Sequence, residues 1–198
     1  EASNGGFGVA HNRAQRDADE DYLLILNPDV ELALAALREG LAWLLACPDA
    51  VAVNPRCARP DGTAEYLCKR YPSLFDLFLR GFSGPRLRER FRERLARYEC
   101  RDSAEAEAPW SAELLSGACL LCRHPAFDAC GGFDQRFFLY FEDFDLSLRL
   151  AAHGELQCVP AMAAVHHGGE ASRKGWRHRF WFMTSAARFF ARHGWRLR

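Results

Sequence analysis

Residues 22–55 constrain the fold more tightly than any other part of the chain. "YLLIL" at 22–26 is a short apolar run of the length of a buried strand, and "NPD" ends it with turn chemistry. "LALAALREGLAWLLAC" at 32–47 has the composition and period of a helix, and "AVAVNP" at 50–55 reads as the next strand. Strand, loop, helix and strand in that order predict an α/β layered fold. A chain of 198 residues suits one well-buried unit of that kind.

The rest of the chain continues the pattern. "RPDGTAEY" predicts a hairpin, "SLFDLFLRGF" a short amphipathic helix, and "RLRERFRERLARYECRDSAEAEAP" a charged, partly helical insertion with a solvated face. "ELLSGACLLC" predicts a strand, "HPAFDACGGFD" a short helix closed by a Gly-Gly turn, and a helix from near Glu142 stops at "HG". "LQCVPAMAAVHH" then predicts a broken strand ending in two histidines.

Composition narrows the function classes. The 26 basic and 26 acidic residues cancel, so no global field argues for nucleic acid. No apolar run approaches the roughly 20 residues of a membrane span. Eight cysteines could suggest a disulfide framework, but no secretory leader precedes them and the chain is large and apolar enough to do without staples, so a reduced, cytoplasmic protein is expected. In "CLLC" the metal spacing is offset by strand geometry, which points Cys119 and Cys122 to opposite faces and predicts buried packing.

Three places carry candidate chemistry. "FFLYFEDFDLSLRL" at 137–150 sets Glu142, Asp143 and Asp145 behind four aromatic residues. Acids suit a helix start, but an aromatic wall would restrict water and make one of them a usable base, with Asp143 the better candidate; Asp145 pairs with Arg149 one turn on. Asp29 follows a buried strand, in the crevice where α/β sheets bind ligands and where a carboxylate suits a hard cation; alternatively the Asn27-Pro28-Asp29 turn caps the helix beginning near Leu32. His166 and His167, at another strand end, can complete such a metal site.

"NGGFGVAHN", "LILNPDVEL", "SGACLLCRHPAFDACGGFDQRFFLYFEDFDLSLRL" and "VPAMAAVHHGGEAS", in this order and spacing, resemble the family 2 glycosyltransferases of the rhamnosyltransferase-like branch over about residues 4–172. That resemblance implies a GT-A fold, Rossmann-like and N-terminally incomplete, since relatives carry a further strand, helix and strand ahead of this start. It implies a bacterial enzyme of cell wall or polysaccharide biosynthesis, moving a sugar such as rhamnose from a nucleotide-diphosphate donor to a glycan or lipid-linked acceptor with inversion, using Mg²⁺ or Mn²⁺. By the same resemblance Asp29 and His166 hold the metal and Asp143 of the "ED" pair, beside Glu142, deprotonates the acceptor. Asn4, Gly5, Asn12, Asn27 and Asp29 lie near the donor nucleotide, and Gly117 and Ala118 form a wall near its sugar.

The unit therefore divides into a partial GT-A domain at 1–172 and a basic, aromatic C-terminal helix at 173–198. That tail holds eight Arg or Lys, seven Phe or Trp and no acid. It is either a helix packed on the domain or an interfacial helix giving peripheral contact with the inner face of the cell membrane. Two other function classes stay open from the residues: a non-catalytic remnant acting as a binding or membrane-associated module, and a cysteine-based metal or redox protein.

Overall fold

The computed structural model describes residues 5–168 and 175–198. In chain order the elements are α1 (Phe7–Ala14), β1 (Tyr22–Leu26), β2 (Val30–Leu32), α2 (Leu34–Ala46), β3 (Ala50–Ala58), β4 (Ala64–Glu65), α3 (Leu74–Gly81) and α4 (Pro85–Arg90). There follow α5 (Arg92–Tyr98), α6 (Arg101–Ala104), β5 (Trp110–Ser111), β6 (Cys119–Arg123), α7 (His124–Ala129), α8 (Glu142–Leu150), β7 (Glu155–His166) and α9 (Trp176–His193). The sheet runs β1-β6-β3-β7-β2, with β4 added to β3 and β5 to β7. β3 and β7 are parallel and the other pairs antiparallel, so the sheet is mixed.

β6 shows why the centre of this sheet forms. Cys119, Leu120, Leu121 and Cys122 are all buried; Leu120 and Cys122 join one core while Cys119 and Leu121 join the other. Period-2 geometry therefore places the two thiols on opposite faces, as the spacing predicts. All eight cysteines are free thiols, and burial pushes Cys119 and Cys122 up to about 12. Thiols so held are packing groups rather than ligands or nucleophiles.

α2 covers one face through Ala36, Gly40 and Leu44. A side chain at Gly40 would meet Met162 and Leu121, so glycine sets the approach of helix to sheet. The β3 to β7 ladder jumps from Pro55↔Val159 to Arg56↔Ala163, and Pro160 falls inside that offset, where a residue without an N–H is tolerated. A third cluster, built without strand residues, joins Leu77 of α3, Phe137 and Phe141, and Ala186, Phe189 and Phe190 of α9.

Three local expectations are corrected. "ELLSGA" is not strand: β6 begins only at Cys119, and Leu114 makes an isolated bridge with Lys69. Asp29 does not cap α2, because β2 intervenes and the cap position is Ala33, which offers no side-chain acceptor. The charged insertion has a buried side, with Leu95, Tyr98 and Cys100 in the interior and Arg94 Nε donating to Asp76 Oδ1 at 2.5 Å.

The Asp145 and Arg149 pair predicted one turn apart is present, but it is buried and larger than a surface pair. Asp145 is 0% exposed; Arg149 Nε reaches its Oδ2 at 2.9 Å, while His193 Nε2 lies 2.7 Å and Arg192 3.0 Å from Oδ1. One carboxylate thus ties α9 to α8. Removing one partner of a buried pair leaves the others uncompensated, so Asp145→Ala is expected to lower stability by about 3–5 kcal/mol in denaturant titration. An exposed Asp128→Ala control should stay within about 0.5 kcal/mol.

Candidate functional site

The aromatic run ahead of α8 is a backbone device as well as a wall. Tyr140 and Phe141 both have left-handed backbone, with φ of 71° and 64°. Such residues cost on the order of 1–3 kcal/mol each and persist only where their surroundings hold them. Phe141 is held by Phe182 at 5.2 Å and Phe189 at 5.4 Å between ring centres. The kink turns the Phe141 ring inward and starts α8 with its acids beside the turn at 115–118.

Asp143 is fixed there by the main chain. Gly117 N–H donates to Oδ2 at 3.0 Å and Phe144 N–H to Oδ1 at 2.9 Å. The Ser147 hydroxyl, one turn on, accepts from Leu115 N–H at 2.9 Å and lies 2.7 Å from Asp143 O and 3.1 Å from Leu115 O, the two acceptors sharing its one proton. Gly117 is packed so that a side chain would press on Asp143 and on the Phe7 ring. Phe7, Gly117 and Asp143 therefore form one wall.

The two neighbouring acids divide their roles by environment. Burial, then the adjacent Asp143, raises Glu142 to about 8, and its Oε2 has no hydrogen-bond partner among the described residues. Burial also raises Asp143, but the two N–H donors and the positive charge of Lys69 oppose it. Within this coupled pair the two N–H donors, the helix N-terminus and Lys69 favour the anion on Asp143, while Glu142 is the acid that burial leaves protonated. Lys69, not singled out from sequence, is 4% exposed, donates to Tyr66 O and Cys68 O, and is lowered to about 8 by burial.

A second group assembles at strand ends. Asp29 Oδ2 lies 3.4 Å from His166 Nε2, while His167 turns to Glu31 at 3.1 Å; of the two histidines it is His166 that faces Asp29. A side chain at Gly168 would collide with both Asp29 Oδ2 and His166 Nε2, so the backbone closes tightly over them. A carboxylate oxygen and an imidazole nitrogen at this separation suit neighbouring positions on one small divalent cation, whose ligands stand at about 2.0–2.1 Å from the ion. Among the described residues no third His, Cys, Asp or Glu completes a metal cage, so further positions would fall to ligand oxygens and water.

Asn27 N–H donates to Ala118 O at 2.8 Å, which joins the β1 end to the turn holding Asp143. The structure thus connects Asn27, Asp29, Gly117, Ala118, Glu142, Asp143 and His166. Asn12 differs: its amide donates to Phe133 O at 2.8 Å and accepts Phe133 N–H at 2.9 Å, so both ends hold the Gly132-Phe133 turn. Gly5 precedes α1, and Asn4 lies outside the described residues. A cavity of about 400 Å³ lined by Cys57, Cys68 and Trp110 meets this region through Glu65, not through Asp143 or His166.

No protein-family model matches the chain. Over 177 residues, 83% of its length, it is 33% identical to the N-acetylglucosaminyl-diphospho-decaprenol L-rhamnosyltransferase of Mycobacterium tuberculosis, and it spans 56% of that protein's length. It is 28% identical to the rhamnosyltransferase WbbL of Escherichia coli K12, across 96% of this chain and 72% of that one. Among solved structures it is similar to GalNAc-T7 with UDP, GalNAc and Mn²⁺, with TM-score 0.61 and 14% identity over 96% of this chain and 35% of that one. It is also similar to the mannosyltransferase PcManGT of Pyrobaculum calidifontis with GDP-Man and Mn²⁺, with TM-score 0.58 and 18% identity over 96% of this chain and 44% of that one. The structural likenesses establish the GT-A fold.

The raised Glu142 makes stability depend on pH with a definite sign. Unfolded, this acid loses its proton near 4.5; folded, it holds it to about 8, so between those values the folded state binds more protons. The contribution of this acid to stability is therefore full below about 4.5 and falls as pH rises toward 8. Glu142→Gln is expected to flatten this slope, read as the difference in urea midpoint between pH 5 and pH 8. An unchanged slope would place the proton elsewhere.

Proposed function

We propose, for a chain homologous to bacterial rhamnosyltransferases and built on the GT-A fold, that it forms the acceptor and metal side of an inverting glycosyltransferase. The donor is a nucleotide-diphosphate sugar, rhamnose by kinship, and the acceptor a glycan or lipid-linked hydroxyl. What carries this reading is the Asp143 carboxylate, held by two N–H groups beside a protonated Glu142 and linked through the 116–118 turn to Asp29 and His166.

Each Asp143 oxygen accepts one N–H and keeps lone-pair capacity. It takes the proton of the acceptor hydroxyl as that oxygen bonds to the anomeric carbon and the bond to the diphosphate breaks, its electron pair leaving on the diphosphate. One displacement inverts the centre and needs no covalent nucleophile. Glu142, uncharged, adds no second anion against the departing one. Asp29 and His166 would hold Mg²⁺ or Mn²⁺, which supplies Lewis-acid neutralisation of the diphosphate when bound. Gly117 and Ala118 border the sugar, and Asn27, with Asn4, Gly5 and Asn12, belongs to the donor side.

Peripheral attachment to the cytoplasmic face of a membrane follows from α9. Its Ser185, Ala186, Phe189 and Phe190 are buried, while Trp176, Phe180 and Met183, spaced i, i+4 and i+7, are 77%, 59% and 57% exposed. Among the described residues no helix is long and apolar enough to cross a membrane, so this stripe would lie along the interface. Residues 175–198 hold six arginines and no acid, which suits anionic lipid.

Asp143→Asn is expected to lower turnover by about 10²–10⁴ with donor binding unchanged; turnover within about threefold of the parent removes Asp143 as the base. On vesicles, replacing Trp176 and Phe180 by alanine is expected to weaken binding to anionic lipid by at least about tenfold, and added salt to weaken the parent. Equal sedimentation of parent and variant would leave packing as the role of α9.

A further inference from the structure

His166 is the last residue of β7, and its ring stands between two carboxylates. Nε2 lies 3.4 Å from Asp29 Oδ2, and Nδ1 lies 3.1 Å from Glu65 Oε2. The three side chains come from distant elements: Asp29 from the turn after β1, Glu65 from the two-residue β4, and His166 from the end of β7. Glu65 reaches this position because β4 pairs with β3 through Cys57↔Glu65, and Cys57 in turn lies opposite Ala164 of β7.

The two sides of the ring differ. The Asp29 side chain is 45% exposed, so the Nε2 side opens to solvent. On the other side Glu65 Oε2 and His166 Nδ1 are both buried, and neither has a hydrogen-bond partner among the described residues. A small rotation of either side chain would align them and satisfy both. Buried polar atoms are nearly always paired, and a histidine that binds metal through one nitrogen commonly donates its other N–H to a carboxylate, which fixes the tautomer and the direction of the ligating lone pair.

We infer that Glu65 is a positioning residue for the metal site: its carboxylate accepts Nδ1–H of His166 and so presents the Nε2 lone pair toward Asp29. The inference rests on the reading of Asp29 and His166 as cation ligands. With a cation on Asp29, the Nε2 lone pair must face it, and Glu65 is the group placed to take the ring proton. Glu65 is no ligand itself, since it stands at the nitrogen turned away from Asp29.

The test uses metal alone. Mn²⁺ binding is titrated by electron paramagnetic resonance in the parent and in Glu65→Ala, Glu65→Gln, Asp29→Ala and His166→Ala. The His166 tautomer is read by two-bond ¹H–¹⁵N correlation with Mg²⁺ added. Glu65→Ala is expected to weaken Mn²⁺ about 10–100-fold, with the thermal midpoint as a control on folding. Glu65→Gln, whose amide oxygen still accepts Nδ1–H, should recover most of the affinity, which a bare packing role would not explain. The parent should show the Nδ1–H tautomer with Mg²⁺ present. Parent-like affinity in Glu65→Ala alongside lost affinity in Asp29→Ala overturns the role of Glu65 and leaves the metal reading standing. Parent binding indifferent to Asp29→Ala and His166→Ala overturns both. An Nε2–H tautomer in the metal-loaded parent overturns the role of Glu65 without recourse to any variant.

Discussion

Asn54, wholly buried in the middle of β3, uses both ends of its amide on the segment that enters β6. Its Oδ1 accepts Ser116 N–H at 2.7 Å, and its Nδ2 donates to Cys119 O at 2.7 Å and Ser116 O at 3.0 Å. The candidate positions at the α8 start and the β1 end hang from that segment. Gly117 N–H holds Asp143, Ala118 O receives Asn27 N–H, and Leu115 is latched to Ser147. A buried amide left half-paired is costly, so the turn has one arrangement in which Asn54 is satisfied, and that arrangement sets the relation between the α8 start and the β1 end.

Charge around this turn is divided by environment. Three acids begin α8, and each meets a different environment. Asp145 is matched by Arg149, Arg192 and His193 and serves the fold. Glu142 has a bare Oε2 and stays protonated, which spares the interior a second charge. Asp143 is raised by burial as well, but it is the acid whose anion the helix start, two main-chain donors and the positive charge of Lys69 favour. The sequence "EDFD" looks uniform; packing makes its members a protonated acid, the carboxylate we propose as the base, and a structural anchor.

Most of the fold was legible in the chain because long apolar runs and helical periods are local signals. β1, α2, β3, α7, α8 and β7 stand where those signals place them, and the face-switching of Cys119 and Cys122 follows from parity alone. β2 was not legible: at three residues it has no period, and its pairing with β7 is decided by distant chain. β4 is the returning strand of the hairpin that "RPDGTAEY" predicts, but Glu65 was missed because it is an exposed-looking hairpin residue until β3 and β7 bring it to His166. Asn54 and Ser147 did leave a signal. Each is a polar residue inside an apolar run, "AVAVNP" and "DLSLRL", and a polar group that must be buried must find partners. Phe7, between glycines in "GGFG", was likewise visible as a ring on a close-packed turn but not as the neighbour of Gly117.

The tail shows how packing redistributes what composition lumps together. Read as sequence, its arginines form one basic surface. In the fold Arg188 donates to Arg136 O and lies over Phe137, Arg192 pairs with Asp134 and Asp145, and Arg196 stacks on Tyr71 at 4.3 Å. A guanidinium so placed can still contribute field but cannot move to meet a lipid phosphate without losing its protein partners. Arg177 lies over Trp181 at 6.0 Å within α9 itself, and Arg177 and Arg179, both exposed and without an ion pair among the described residues, flank Trp176 and Phe180 on the exposed stripe. The same helix therefore closes the Phe189 and Phe190 core through one face and the Asp145 anchor through its end, while its N-terminal half keeps cation and aromatic together on the side turned outward. Under the proposed membrane reading, attachment at that half would need no unfolding of the other, so surface binding and the integrity of the α8 start would be separable in one helix.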